Sequence, residues 1–435
     1  MGDFKAFYCS ARVLLEREDP YATRPISACE SVPAPSPLFV TKPGEVLPAP
    51  LPGYVVAAFV PLALFPFPVA CAIWLLALVA AIAGAAALLA RARLVDAWTL
   101  GVALSLTLVA VCLPVGELPP IALFGLALAV WGAKSGKAWP LALGIALTLT
   151  EPQIGIALFV AACALGRTFA LPAIGAIVAL GVVSFAALGV AGNVEYLRVV
   201  LPAHLLSELP SVLQYSLSWM LYRAGVAPGL ALLAGRLCWI AMLGVTIAFA
   251  RSAFARARPE IALLAAPAFA VVGGPFLHLD HIALAIPAAV WLATERPSAW
   301  RVAAVTGLAI PVLYVFSITA RSLVNLFALT PFVSGWLGAT FRRDGAAGLR
   351  AALVTVLALA CIGAVAVHAG TGSMQIPPVQ PLPADLPQAA WAQYVGRHFV
   401  MTGWSIWLVK LPMWLAIVAT AVTLFRTGFA SRAHA

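Results

Sequence analysis

The side chains best able to do chemistry fall in four short turns. Asp3 stands near the start of "GDFKAFYCSARVLLEREDPY" and Glu117 in "VGELPP". Glu151 and Gln153 flank Pro152 in "TEPQ", and His278, Asp280 and His281 form "FLHLDHIAL". A carboxylate can take a proton from a reacting group; an imidazole can exchange protons near neutral pH, or hold phosphate or metal. His278 and His281 are three residues apart, which on a helix brings two rings beside a carboxylate, as a metal site needs. No CxxC pair or second histidine cluster accompanies them, which argues against structural zinc; a loosely held divalent cation stays open, beside a buried hydrogen-bond network. His204, His368 and His398 stand alone and read as solvated or interfacial.

The scaffold that must position these groups is written in the composition. Hydrophobic residues make up 63% of the 435, and 10% are charged. Soluble domains run at about 45–50% apolar and about 25% charged. The fold class is therefore an all-α polytopic membrane protein, of about 12–13 crossing or half-crossing helices at roughly 20 residues each. Spans are expected at 68–90, 97–113, 119–133, 169–190, 228–250, 260–277, 280–294, 302–319, 322–340, 351–370 and 401–424. The stretch 138–166 reads as two short helices meeting at Pro152, because proline removes a backbone donor. Residues 53–67 are too short to cross alone, so they dip into or lie along the interface.

The net charge of +10 does not point to nucleic acid, because Lys and Arg sit in short loops on one side of the expected bundle. That side is cytoplasmic by the positive-inside rule, and the C-terminus lies there too. The opposite side receives 1–50, 114–118, 150–153, 191–227, 278–281 and 371–399, with twelve of the sixteen acids. Acids weigh little in topology, so their segregation suggests a functional surface.

Residues 1–52 form an extracytoplasmic unit ahead of the bundle at 53–435. Phe4, Phe7, Tyr8, Ala11, Leu14 and Leu15 share one helical face that suits the membrane interface, apolar side down. Asp3 on its own reads as the N-cap of that helix. The proline-rich run that follows allows an ordered, extended cover. Cys9 and Cys29 can pair only if this unit faces an oxidising compartment. No signal peptide precedes Asp3, so an external start implies a first transmembrane helix upstream that this chain lacks.

Asp3-Phe4, Phe7-Tyr8, Ala11, Leu14-Leu15 and Asp19-Pro20-Tyr21 resemble the first external segment of glycosyltransferase family 87. The resemblance continues through Gly116-Glu117, Glu151-Pro152-Gln153, Gln214-Tyr215-Ser216-Leu217 and the His278–His281 helix start. Glu151 stands where the family usually carries a lysine, and "PLPGY" (50–54) where it often has Tyr-Pro-Pro. The resemblance implies a GT-C-like bundle in the bacterial inner membrane. It would move a mannose-like sugar, or another hexose or pentose, from a polyprenyl-phosphate donor to an extracytoplasmic lipid or glycan acceptor, with inversion and no organic cofactor. It implies Asp3 as general base and His278 and His281 on the phosphate. Asp280 would orient an imidazole or touch the sugar, Gln153 and Gln214 would contact the sugar, and Arg321 or Arg223 would aid the phosphate. Glu117, Glu151 and Tyr8 join the donor-binding set.

Two other readings fit the residues. A secondary transporter would use the broken 138–166 segment, although no internal repeat is visible and the charged candidates gather at helix ends. A non-catalytic relative would keep the outer surface for binding alone.

Overall fold

The computed structural model describes residues 2–31, 46–104, 107–108, 110–295, 345, 381–398 and 406–430. Among them the chain is helical, with no strand beyond a single bridge between Gln214 and His278. The spans expected at 302–319, 322–340 and 351–370 lie outside the described residues, as do Arg321 and His368.

The N-terminal unit is α1 (Gly2–Leu15) and α2 (Thr23–Glu30), joined by a Cys9–Cys29 disulfide. The apolar stripe of α1 packs on α3 (Gly53–Ala63) and α4 (Phe67–Arg91). The Phe4 ring stacks on Trp74 at 5.9 Å and Phe67 at 5.8 Å, and Phe7 meets Phe59 at 5.4 Å. Each fully buried phenylalanine is worth about 1.5–3 kcal/mol relative to exposure. Lys5 and Ser10, off the stripe, are buried as well, because α2 and the extended segment 46–52 cover that side. Thus α1 is enclosed by protein on both faces, where the periodicity alone suggested a helix lying on an interface.

From α4 onwards the chain runs back and forth. α5 (Ala97–Leu104) and α6 (Ala110–Val115) occupy the single span expected at 97–113. α7 (Pro119–Ser135), α8 (Ala138–Thr148) and α9 (Pro152–Leu165) follow, and the break at Pro152 lies where the proline requires. α10 (Arg167–Glu195) passes through a π turn, Tyr196–Val200, into α11 (Leu201–Glu208). Gly189, at φ +65, kinks α10, a conformation that side chains resist. The freed Gly189 carbonyl accepts from Asn193 Nδ2 at 2.6 Å. α12 (Leu217–Arg223), α13 (Pro228–Ala250), α14 (Ala253–Ala257) and α15 (Pro259–Gly273) lead to a 3-10 turn at His281–Ala285. α16 (Ile286–Glu295), α17 (Pro387–His398) and α18 (Ile406–Ala430) complete the described elements.

Three stretches are long and apolar enough to cross a membrane, Phe67–Arg91, Arg167–Glu208 and Pro228–Ala250, with shorter apolar helices between them. Their outward faces carry exposed Leu76, Val182 and Leu237, as lipid contact requires. By contrast α15 and the 281–293 stretch are buried, and they form the centre of the bundle with α7 and α9. The protein is an all-α polytopic membrane protein.

Candidate active site

A cavity of about 820 Å³ is lined by the 46–52 segment, the turns 117–118 and 150–153, and the 275–281 segment. α1, the π turn with α11, α13 and α17 supply the rest of its wall. The connections 92–96, 136–137 and 251–258 lie away from it. Alternation of the helices thus delivers four sequence-distant turns to one place.

Asp3 enters from the first turn of α1, and a side-chain hydrogen bond joins it to Glu117. It does not act as a helix cap in the way the isolated sequence suggests. Glu117 is aimed by the preceding Gly116, which at φ +86 turns the chain sharply while its carbonyl accepts from Trp74 Nε1 at 2.9 Å. Burial raises both carboxyls above the usual carboxylate range, and the charges of Asp3, Asp280 and Glu151 push Glu117 far higher than Asp3. The proton shared by the pair therefore rests on Glu117, which donates to Asp3, and that bond holds the Asp3 shift down. Asp280 faces the same space; it is buried, and its Oδ2 has no hydrogen-bond partner among the described residues.

The opposite wall is built of imidazole–carboxylate pairs. His281 Nε2 lies 2.8 Å from Glu151 Oε2, which also accepts from Gln153 Nε2 at 3.0 Å. His281 Nδ1 accepts the His278 backbone N–H at 2.9 Å. The charges of Glu151 and Asp280 raise the His281 pKa to about 9 against the pull of burial. A nitrogen that accepts an N–H carries no proton of its own, however, so the hydrogen-bond geometry favours the Nε2–H tautomer donating to Glu151. His278 Nε2 pairs with Glu208 Oε2 at 3.1 Å, and Glu208 also accepts from Trp391 Nε1. Glu151 occupies the N-cap position of α9 without capping it, because its carboxylate is committed to His281. The break that exposes it is tied down by Tyr54, donating to the Leu149 carbonyl at 2.7 Å, and Trp239, donating to that of Gln153 at 2.9 Å.

The cavity thus gathers Asp3, Glu117, Glu151, Gln153, His278, Asp280 and His281. Three other candidates, Tyr8, Gln214 and Arg223, stay out of its lining. Tyr8 donates to the Phe65 carbonyl at 2.8 Å and packs edge-on against Phe67. Gln214 is buried, with its Oε1 accepting from Leu277 N at 3.1 Å, and so fixes the strand-like entry to His278. Lys410 supports that entry by donating to the carbonyls of Val212 and Gln214 above the rings of Tyr215 and Trp219. Arg223 is buried against Trp219, outside the lining.

Sequence reasoning missed several wall residues. His204 does not stand apart: it is half-buried and lines the cavity, its ring 5.0 Å from Phe276 and its Nδ1 shielded from solvent. Glu208, Arg236, Trp391 and Tyr394 line it too. Arg236 had a signal, a lone cation inside the apolar run 228–250; Glu208 and His204 had none beyond their residue type. Among the described residues no group of three or more His, Cys, Asp or Glu could hold a metal ion.

The arrangement offers a hydrogen-bonded pair of carboxyl groups, two oriented imidazoles and an unsatisfied carboxylate oxygen around a space large enough for a sugar. Residues 52–279, just over half the chain, match the model of glycosyltransferase family 87. No curated protein and no solved structure matches. The matched part contains Glu117, Glu151, Gln153, Glu208 and His278, while Asp3 precedes it and Asp280 and His281 follow it directly. This chain belongs to glycosyltransferase family 87 and is a glycosyltransferase.

Proposed function

We propose that the protein transfers a sugar, mannose-like or another hexose or pentose, from a polyprenyl-phosphate carrier to a lipid or glycan acceptor, on the extracytoplasmic face of a bacterial inner membrane, with a GT-C-like bundle as scaffold. The observation that carries this reading is the position of Asp3. A carboxyl group on the first helix is held by Glu117 in the wall of a cavity that also contains His278 and Asp280. In a single displacement the acceptor oxygen attacks the anomeric carbon, the bond from that carbon to the phosphate oxygen breaks, and its electron pair leaves with the phosphate. The acceptor proton passes to Asp3, and attack opposite the leaving group inverts the centre. Asp280, with a free buried oxygen, is suited to accept a sugar hydroxyl. His281 orients the segment that carries His278, whose Nδ1 remains for a substrate oxygen. The Cys9–Cys29 disulfide supports an external N-terminal unit, because such bonds persist in oxidising compartments; the basic loops support a cytoplasmic C-terminus.

The test is Asp3→Asn in the full chain, assayed against a panel of polyprenyl-phosphate sugars. Donor binding and disulfide formation are expected to survive, and transfer to fall by about 10²–10⁴-fold, the span general-base catalysis supplies. Normal turnover by this variant would remove Asp3 from the mechanism, and flux without transfer would favour a transporter.

A further inference from the structure

The pairing of the histidines leaves the donor's phosphate short of donors. His281 has both ring nitrogens engaged, and His278 has one of two committed to Glu208. Five acidic side chains line the cavity, Asp3, Glu117, Glu151, Glu208 and Asp280, and an approaching phosphate meets the field of those that are ionised. Among the described residues a single Lys or Arg lines it, Arg236.

Arg236 stands in an unusual place. It is the ninth residue of α13, about 12 Å below that helix's cavity-side end. Its flank carries Leu233, Leu237 and Ile240, each at least 50% exposed, so this is the face α13 turns to lipid. The Arg236 side chain is itself exposed and makes no ion pair or hydrogen bond among the described residues. A cation at that depth is costly unless an anion meets it. The cavity reaches the same surface, because Leu197 and Ile240, 62% and 57% exposed, both line it. The opening between α13 and the Tyr196–Val200 turn is therefore apolar at its lips and cationic just inside.

We propose that this opening is the lateral entrance for the lipid donor, with Arg236 binding its phosphate and the apolar lips receiving the first isoprene units. The inference rests on the polyprenyl-phosphate reading above. Arg236 lets the phosphate cross from the lipid side into a cavity whose own charge is negative. A guanidinium suits the task because it donates two parallel hydrogen bonds to phosphate and stays ionised in an apolar setting. A bulk anionic headgroup offers the same chemistry, so the experiment separates the two sources.

Full-length wild type, Arg236→Gln and Arg236→Lys are placed in phosphatidylcholine nanodiscs, and binding of a short-chain polyprenyl monophosphate is measured beside the matching polyprenol. The expected result is a phosphate-dependent loss in Arg236→Gln of about 10–100-fold, the worth of charged hydrogen bonds, with Arg236→Lys between and polyprenol binding equal in all three. In turnover the same variant should raise the donor KM more than it lowers kcat. Wild-type affinity retained by Arg236→Gln overturns the assignment and leaves the donor reading standing; a wild type that binds no polyprenyl phosphate overturns both. Equal displacement of the probe by phosphatidylglycerol would identify Arg236 as a general headgroup contact and overturn the entrance.

Discussion

The two walls of the cavity are held by different physics. Asp3 rides on a helix fixed by apolar contact, Phe4 against Trp74 and Phe67, and by a covalent tie from Cys9 to Cys29. The imidazoles are fixed by hydrogen bonds to carboxylates 70 and 130 residues away in sequence, Glu208 and Glu151. Apolar packing sets where a helix lies but tolerates small shifts; a paired imidazole has a direction and a tautomer. On the mechanism proposed above, the first wall suits a proton acceptor that follows an incoming acceptor oxygen, and the second suits a support held still beneath the donor.

The largest expected effect comes from breaking the covalent tie. Closing a loop over a sequence separation of 20 residues removes about 3 kcal/mol of denatured-state entropy. Cys9→Ser with Cys29→Ser should speed proteolytic cleavage between α1 and α2, lower kcat, and leave melting of the buried α7–α9–α15 centre nearly unchanged. Wild type under reductant should behave like the double variant. If cleavage and turnover stay as they were, aromatic packing alone positions Asp3, and the contrast between the walls narrows.

The polar wall should break in a residue-specific way. Glu151→Ala leaves the His281 Nε2–H without its acceptor, at a cost of about 1–3 kcal/mol, and frees the His278–His281 turn. Glu151→Gln keeps a carbonyl that accepts from a neutral imidazole, so it should recover most of the melting temperature. Were His281 an imidazolium, Gln would strand a buried cation and do as badly as Ala. Melting curves of the two variants, with the imidazole tautomer read by nitrogen NMR, decide between these outcomes.

How much of this was legible follows the same division. Helices bounded by proline or charge, α4, α7, α9 and α13, could be placed from periodicity and composition, because local chain chemistry ends them. Gathering the acidic and imidazole turns on one side required only counting crossings. The uses of those groups were not legible. Asp3 near a helix start looks like a cap until Glu117 is brought to it from more than a hundred residues away. Gln214 reads from the sequence as a sugar contact, and only the fold shows that its Oε1 accepts from the Leu277 backbone. His204 and Arg236 were hidden for opposite reasons, one isolated in sequence, the other averaged away inside an apolar window.

The smallest effect is the most diagnostic, because Glu117 sets the proton balance of Asp3. Its neutral carboxyl donates to Asp3, and that bond holds the Asp3 pKa below where burial and Asp280 would otherwise drive it. Glu117→Leu removes the donor and leaves those raising influences in place, so the Asp3 pKa must rise. A base is active when deprotonated, so the acidic limb of kcat/KM should move to higher pH, with the plateau above it little changed. Glu117→Gln restores an N–H donor that never ionises and should leave the limb near its wild-type position. The profiles need only the three proteins and one donor, followed across the acidic limb. A limb that stays put in Glu117→Leu would mean that another group accepts the proton. One that moves to lower pH would mean that Glu117 is ionised beside Asp3 and raises its pKa by repulsion.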